Sequence, residues 1–437
     1  MSKYQVFSLR NFRSIPQLDA NLSTADKNAI EVVGNVLPFK VNNYVVNELI
    51  DWNNIPDDPI FQLTFPQREM LSDEHFGLME KSLKENLDKD QLKQVANSIR
   101  FQLNPHPSGQ QENVPMLGNV KLTGVQHKYR ETVLFFPSNS QTCHAYCTFC
   151  FRWPQFVGID ELKFAMRETE LLVKYLQKKP EVSDILFTGG DPMVMSAKNF
   201  AAYTEPLLNA NLPNLQTIRI GTKSLSYWPY RFTSDKDADE MLRQFEKIVN
   251  NGLHLTVMAH FNHPIELQSN TVREAIRRIR NTGAQIRTQS PVMKRINDHS
   301  KIWSEMWREQ VKLGLIPYYM FVARDTGAQD YFAIELEKSW RIFRNAYQKV
   351  SGIARTVRGP SMSADPGKVQ ILGLNEINDE TVMTLRFIQA RNPDWVGRPF
   401  FAKYDPNAVW LDDLEPAFDE NEFFFEKEMH IRQLNFN

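Results

Sequence analysis

Between residues 133 and 322 the chain alternates short apolar runs with longer amphipathic stretches. The runs are Val133–Phe136, Ile185–Phe187, Thr217–Ile220, Leu255–Ala259, Ile286–Thr288 and Tyr318–Val322, with starts 31 to 52 residues apart. Between them, Val272, Ile276 and Ile279 recur at helical spacing ahead of Gly283, and Trp303, Met306, Trp307 and Val311 do so ahead of Gly314. Glycine just past a periodic stretch is a helix stop. Strands alternating with helices at this interval predict βα units on a parallel sheet. Six such units predict an α/β fold built on a partial (β/α)6 barrel over residues 111–330. Residues 1–110 read as a mainly helical N-terminal extension. Its charged stretch Asp73–Leu103 has helical spacing and ends at the Pro-rich Asn104–Gly109. Residues 331–437 form a C-terminal extension.

In parallel barrels the chemistry gathers at the C-terminal ends of the strands. Here every apolar run leads to a polar cluster at that end. The first leads to three cysteines and the second to Gly189-Gly190-Asp191-Pro192. The third ends in Gly221-Thr222-Lys223 and the fourth in His260-Phe261-Asn262-His263. The fifth gives Gln289-Ser290 and the sixth Arg324-Asp325. Turn chemistry explains one or two such clusters; six on one rim point to a site.

The chain's only cysteines, Cys143, Cys147 and Cys150, fall within eight residues as C-x3-C-x2-C. Thiolates are soft ligands for zinc, copper(I) or iron–sulfur clusters. Ordinary tetrahedral zinc and each iron of a four-iron cluster need four ligands, so three thiolates on a cubane leave one iron open. A zinc site completed by His144, or three buried core cysteines, are the alternatives. The 51 Lys and Arg nearly balance 52 Asp and Glu, so there is no basic footprint for nucleic acid. No apolar run approaches the ~18 residues of a membrane span. Clustered thiols without a leader-like N-terminus fit a reducing cytoplasm.

The cysteine spacing, with an aromatic before the last cysteine, resembles the signature of radical S-adenosylmethionine (SAM) enzymes. The wider set is more specific: D-P-I-F from Asp58, H-K-Y, C-x3-C-x2-C-F-R, L-F-T-G-G-D-P, I-R-I-G-T-K, H-F-N-H-P, Q-S and P-Y-Y, in that order. It resembles the lysine 2,3-aminomutase family, whose members use SAM and pyridoxal 5′-phosphate (PLP). The resemblance implies a radical SAM barrel and a [4Fe–4S] cluster on the three cysteines. It implies SAM contacts from Gly189, Gly190, Asp191, His260 and Gln289. Lys368 in S-A-D-P-G-K would carry PLP, and that amine must be neutral near pH 7 to react. Arg152 would hold the substrate α-carboxylate, with the bidentate geometry a guanidinium allows. An external electron donor such as flavodoxin or ferredoxin and a homo-oligomer are also implied.

Three departures stand out. The family's PLP phosphate site has an H-R-Y-x-x-R character, whereas here Lys128 and Tyr129 are followed by Thr132; Arg130 or Arg358 are candidate replacements. The C-terminal cysteines that bind zinc in lysine-specific members are missing, so no zinc is expected. Where those members place two aspartates near the substrate's distal ammonium, Arg324 and Ser361 stand, with Asp325 adjacent. A guanidinium opposes an ammonium in a low-dielectric site, so the expected substrate is a free amino acid with an acidic or polar side chain. The competing readings are a lysine 2,3-aminomutase proper, a radical SAM enzyme modifying a residue of a protein, and a non-catalytic cluster-binding protein.

Overall fold

The computed structural model describes residues 3–104, 113–158 and 164–435. The Pro-rich segment expected at Asn104–Gly109 lies, beyond Asn104, outside the described residues. One sheet of eleven strands organises the molecule: β1 (Val125–Tyr129), β2 (Thr132–Phe135), β3 (Asp184–Phe187), β4 (Thr217–Thr222), β5 (His254–His260), β6 (Gln285–Val292), β7 (Ile316–Val322), β8 (Arg358–Ser363), β9 (Gly367–Ile377), β10 (Glu380–Ala390) and β11 (Pro399–Lys403). Their order in the sheet is their order in the chain.

All six predicted runs are strands, and they lie side by side. From β2 to β8 every neighbouring pair is parallel. The seventh parallel strand, β8, was not foreseen: R-G-P-S-M-S holds only one large apolar residue. Beyond it β9, β10 and β11 pair antiparallel, and β1 closes the other edge antiparallel to β2. The sheet curls far enough for the β1 edge to reach the segments that follow β8 and β10. Lys128 Nζ of β1 donates to the Ala364 carbonyl after β8 at 2.5 Å, and Arg391 after β10 reaches Asn113 Oδ1 at 2.8 Å.

The helices between the parallel strands include Asn270–Asn281 and Ser300–Lys312, each bearing the predicted apolar positions. They stop where Gly283 and Gly314 adopt φ of 85° and 77°, which glycine alone reaches without strain. The stretch Asp73–Leu103 is two helices, Asp73–Lys84 and Lys89–Gln102. Asn86 turns left-handed, with φ 51°, and Asp88 caps the second helix with a capping box. These local signals override the continuous charge pattern.

The N-terminal region, though helical, is not a separate layer. Its Phe12, Val33, Phe61 and Phe65 belong to the same buried cluster as Phe135, Ile218 and Val257 of the sheet. Helix Pro59–Thr64, started by Asp58 accepting from the Phe61 N–H at 2.7 Å, points its last carbonyls at the cysteine loop. A second buried cluster joins β9–β11 to the C-terminal segment through Phe387, Trp395, Phe400, Trp410 and Phe425.

Candidate active site

A cavity of about 310 Å³ opens at the C-terminal ends of the parallel strands. Eleven of the predicted residues line it: Cys143, Cys147, Cys150, Arg152, Gly189, Gly190, Asp191, His260, Gln289, Arg324 and Lys368. Lys128, Tyr129, Asp325 and Ser361 do not.

The three cysteines are free thiols on a loop braced from several sides. Thr148 donates from N–H to Leu63 O (3.0 Å) and from Oγ1 to Gln62 O (2.7 Å), so the helix Pro59–Thr64 holds one end. The Gly189-Gly190 turn holds the other. A Cβ on Gly190 would stand 2.3 Å from Thr142 O and 2.5 Å from Thr142 N, and Gly189 has φ 135°. The close backbone approach that these glycines permit is therefore made by the cysteine loop itself. Asp191 completes the joint: its N–H donates to Thr142 O at 2.8 Å. Its buried carboxylate accepts from Thr222 Oγ1, Ser224 Oγ and the N–H groups of Met193 and Lys223. Burial raises the Asp191 carboxyl, and these hydrogen bonds oppose the rise.

Burial pushes the Cys147 thiol up to about 12 and the Cys150 thiol to about 11, and raises Cys143 well above the ordinary thiol range. One cation acts against each rise: Lys40 at Cys143, Lys223 at Cys147 and Arg152 at Cys150. Among the described residues no three His, Cys, Asp or Glu side chains are arranged to hold a metal ion. The cysteines share one cavity wall and, as a three-thiol set backed by cations, suit an anionic cluster. His144 does not complete the set: its Nδ1 meets Ser224 Oγ at 2.9 Å and its ring stacks on Trp228. His260 is held neutral, its pKa lowered to about 3 by burial and then by Lys223, and its Nε2 accepts from Gln289 at 2.5 Å.

On the opposite side, Lys368 and Gln389 are cross-strand partners on β9 and β10. Lys368 Nζ donates to Gln389 Oε1 at 3.1 Å and lies 4.2 Å from the Tyr319 ring centre. Burial, then Arg219, lowers its pKa to about 7. Lys128 is likewise lowered to about 7, by burial and then Arg391. Arg219 escaped the sequence reading although it breaks the apolar run of β4. Register puts Leu134, Leu186 and Arg219 in one row across β2, β3 and β4, and all three line the cavity. Its guanidinium pairs with Asp184, which also accepts from Thr132 Oγ1 at 2.9 Å. A guanidinium thus adjoins the position where the family pattern has its second arginine. The charge inside an otherwise apolar strand was the signal that could have found it. These cations, with Lys368, suit a phosphorylated aldehyde cofactor.

Arg152 and Arg324 both stack on Phe151, with Cζ 5.1 and 5.4 Å from its centre. Phe136 backs Arg152 at 4.5 Å and Trp410 backs Arg324 at 5.5 Å. Arg152 Nη1 and Arg324 Nε are buried without hydrogen-bond partners, as is Ser361 Oγ. Arg324 Nε is 3.5 Å from Asp325 Oδ1, close enough for an ion pair only. Burial, and then repulsion by Arg324, lower Arg152 to about 10.

With this geometry in view, comparison with known proteins is specific. A protein of Aquifex aeolicus, provisionally described as an L-lysine 2,3-aminomutase, is 29% identical over 388 residues, 89% of this chain and 90% of its own length. The L-lysine 2,3-aminomutases of Bacillus subtilis (27% identical; 53% of this chain, 46% of that one) and Clostridium subterminale (25%; 52% and 51%) match about half of each chain. The chain is similar to lysine 2,3-aminomutases, along most of its length in the Aquifex aeolicus protein. No protein-family model matches it. Among solved structures, the SAM-bound enzyme anSMEcpe aligns with 50% of this chain and 59% of its own, at 14% identity and a TM-score of 0.37, too loosely to bear on the site.

Proposed function

We propose that this protein is a radical SAM, PLP-dependent 2,3-aminomutase that moves the amino group of a free α-amino acid with an acidic or polar side chain to its β-carbon. The curled parallel run is read as the partial barrel of such enzymes. The observation that carries the proposal is one cavity lined by three free cysteines, a lysine lowered to about pH 7 and two guanidinium groups with buried unpartnered N–H groups.

Cys143, Cys147 and Cys150 would hold a [4Fe–4S] cluster, with the Gly189–Asp191 turn, His260 and Gln289 facing SAM beside it. Lys368 would hold PLP, with Lys128 and Arg219 on its phosphate side. Bound there, these groups would supply radical-generating and electron-sink chemistry. The chain binds and orients: Arg152 takes the α-carboxylate, Arg324 faces the side chain, and Phe149, Phe321 and Phe332 wall out water. Fixing the reacting atoms this way replaces a bimolecular encounter. The two stacked arginines favour an acidic side chain over the distal ammonium of lysine. Asp325 would be the contact if lysine is the substrate. The small-molecule substrate, a flavodoxin- or ferredoxin-like donor, a homo-oligomer and a cytoplasmic setting complete the proposal; no described helix is long and apolar enough to cross a membrane.

The test is anaerobic reconstitution with iron, sulfide, SAM, PLP and reductant, followed by mass spectrometry of products from single amino acids. A β-amino isomer of glutamate or another uncharged or acidic amino acid is expected. Failure of every free amino acid, with turnover of a lysine residue in a protein, would overturn it.

A further inference from the structure

Lys40 belongs to the N-terminal region, more than a hundred residues before the cysteine loop, yet it is bound into that loop. Its carbonyl accepts from the Tyr146 N–H at 2.8 Å. Its Nζ donates to Thr142 Oγ1 at 2.6 Å and lies 4.8 Å from the centre of the Tyr146 ring. The clamp is continued by neighbours: Asn42 Nδ2 donates to His144 O and Tyr227 O, and Tyr4 Oη donates to His144 O.

The three cations beside the cysteines are not equivalent. Lys223 is neutralised by Glu266 in a buried ion pair. Arg152 faces the cavity and its neighbour Arg324. Lys40 has no carboxylate partner among the described residues; burial lowers its pKa, and Cys143 opposes the fall. A half-buried ammonium without a counter-ion is costly. A cubane held by three thiolates is anionic when oxidised and gains one more negative charge when reduced, and nearby charge is one of the terms that set such potentials.

We propose that Lys40 is a positioning residue of the iron–sulfur site: its ammonium is the fixed counter-charge that stabilises the one-electron-reduced cluster and ties the Thr142–Tyr146 arc in place. The proposal rests on reading the three cysteines as the cluster site, and on nothing about the amino-acid substrate. It also gives the N-terminal region a part in the chemistry beyond covering the sheet.

The test compares wild type with Lys40→Met, Lys40→Gln and Lys40→Arg, each reconstituted anaerobically, by iron and sulfide content and by an EPR-monitored titration with dithionite and mediator dyes. The neutral variants are expected to show electron uptake at least tenfold less favourable, about 59 mV lower for one electron, or to lose the cluster. Lys40→Arg is expected to restore both properties. Neutral variants with full iron and an unchanged potential would overturn the inference. So would an arginine variant that behaves like the neutral ones, which would make shape and not charge the cause. A wild type that holds no four-iron cluster would defeat the cluster reading itself, a separate failure visible in the first measurement.

Discussion

Lys368 and Gln389 face each other across two antiparallel strands, and the amine donates to the amide oxygen at 3.1 Å. The partner is neutral, so this contact offers the ammonium a dipole but no opposite charge. With burial and Arg219 acting against the charged form, the amine is half-deprotonated at about pH 7. An unfolded chain keeps this proton to about pH 10.4. Between those limits the unfolded state binds more protons, so this group's contribution to stability rises with pH and levels off above them. Trapping pyridoxal 5′-phosphate with borohydride should therefore label Lys368, with a half-maximal rate near pH 7. A midpoint near 10, or a label on another lysine, would refute the role.

Cys147→Ala removes one of the three thiols. Reconstituted protein should fall below the iron and sulfide content of wild type and lose any SAM-dependent change in its EPR spectrum. A variant that still cleaves SAM at the wild-type rate would remove the cysteines from the chemistry.

Arg324→Met deletes one of the two guanidinium groups while keeping a long side chain against Trp410. A charge-assisted hydrogen bond contributes about 1.5–3 kcal/mol, so kcat/KM for an acidic amino acid should fall roughly 10- to 100-fold. Lysine should gain relative to it, and more so in Arg324→Asp. Competition assays with paired substrates measure the ratio directly. A wild type that prefers lysine would shift the contact to Asp325.

Gly190→Ala sets a methyl group against backbone atoms of Thr142 that have nowhere to go. Overpacking of this kind costs about 1–3 kcal/mol. The variant should melt at a lower temperature and hold its cluster less firmly. An alanine variant with wild-type stability and iron content would show that the turn and the cysteine loop move apart at no cost.

Much of the sheet could be read in advance because one face of its strands is buried and the other lines the cavity, so they stand out as apolar runs. β8 could not, since Arg358, Gly359, Ser361 and Ser363 carry no apolar period, and only pairing with β7 and β9 makes them a strand. The cavity rim was legible where glycine, cysteine and histidine mark the strand ends. Lys40, Gln389 and Trp410 were not, because each reaches the site from a distant part of the chain and has no local pattern. Arg219 left a mark, a charge within T-I-R-I, but its meaning needed the register that aligns it with Leu134 and Leu186.

The sheet's sequential strand order has a bearing on how the molecule assembles. Each of the eleven strands pairs with the one just made, so the sheet can grow by short closures. The loop entropy of each is small, because that cost rises only with the logarithm of loop length. Two fastenings are different: Lys128 meets the carbonyl of Ala364 across 236 residues, and Arg391 meets Asn113 across 278. The seam between β1 and the segments that follow β8 and β10 therefore forms late, after both halves of the cavity exist. A chain halted before β8 would present a complete cysteine loop with no amine opposite it.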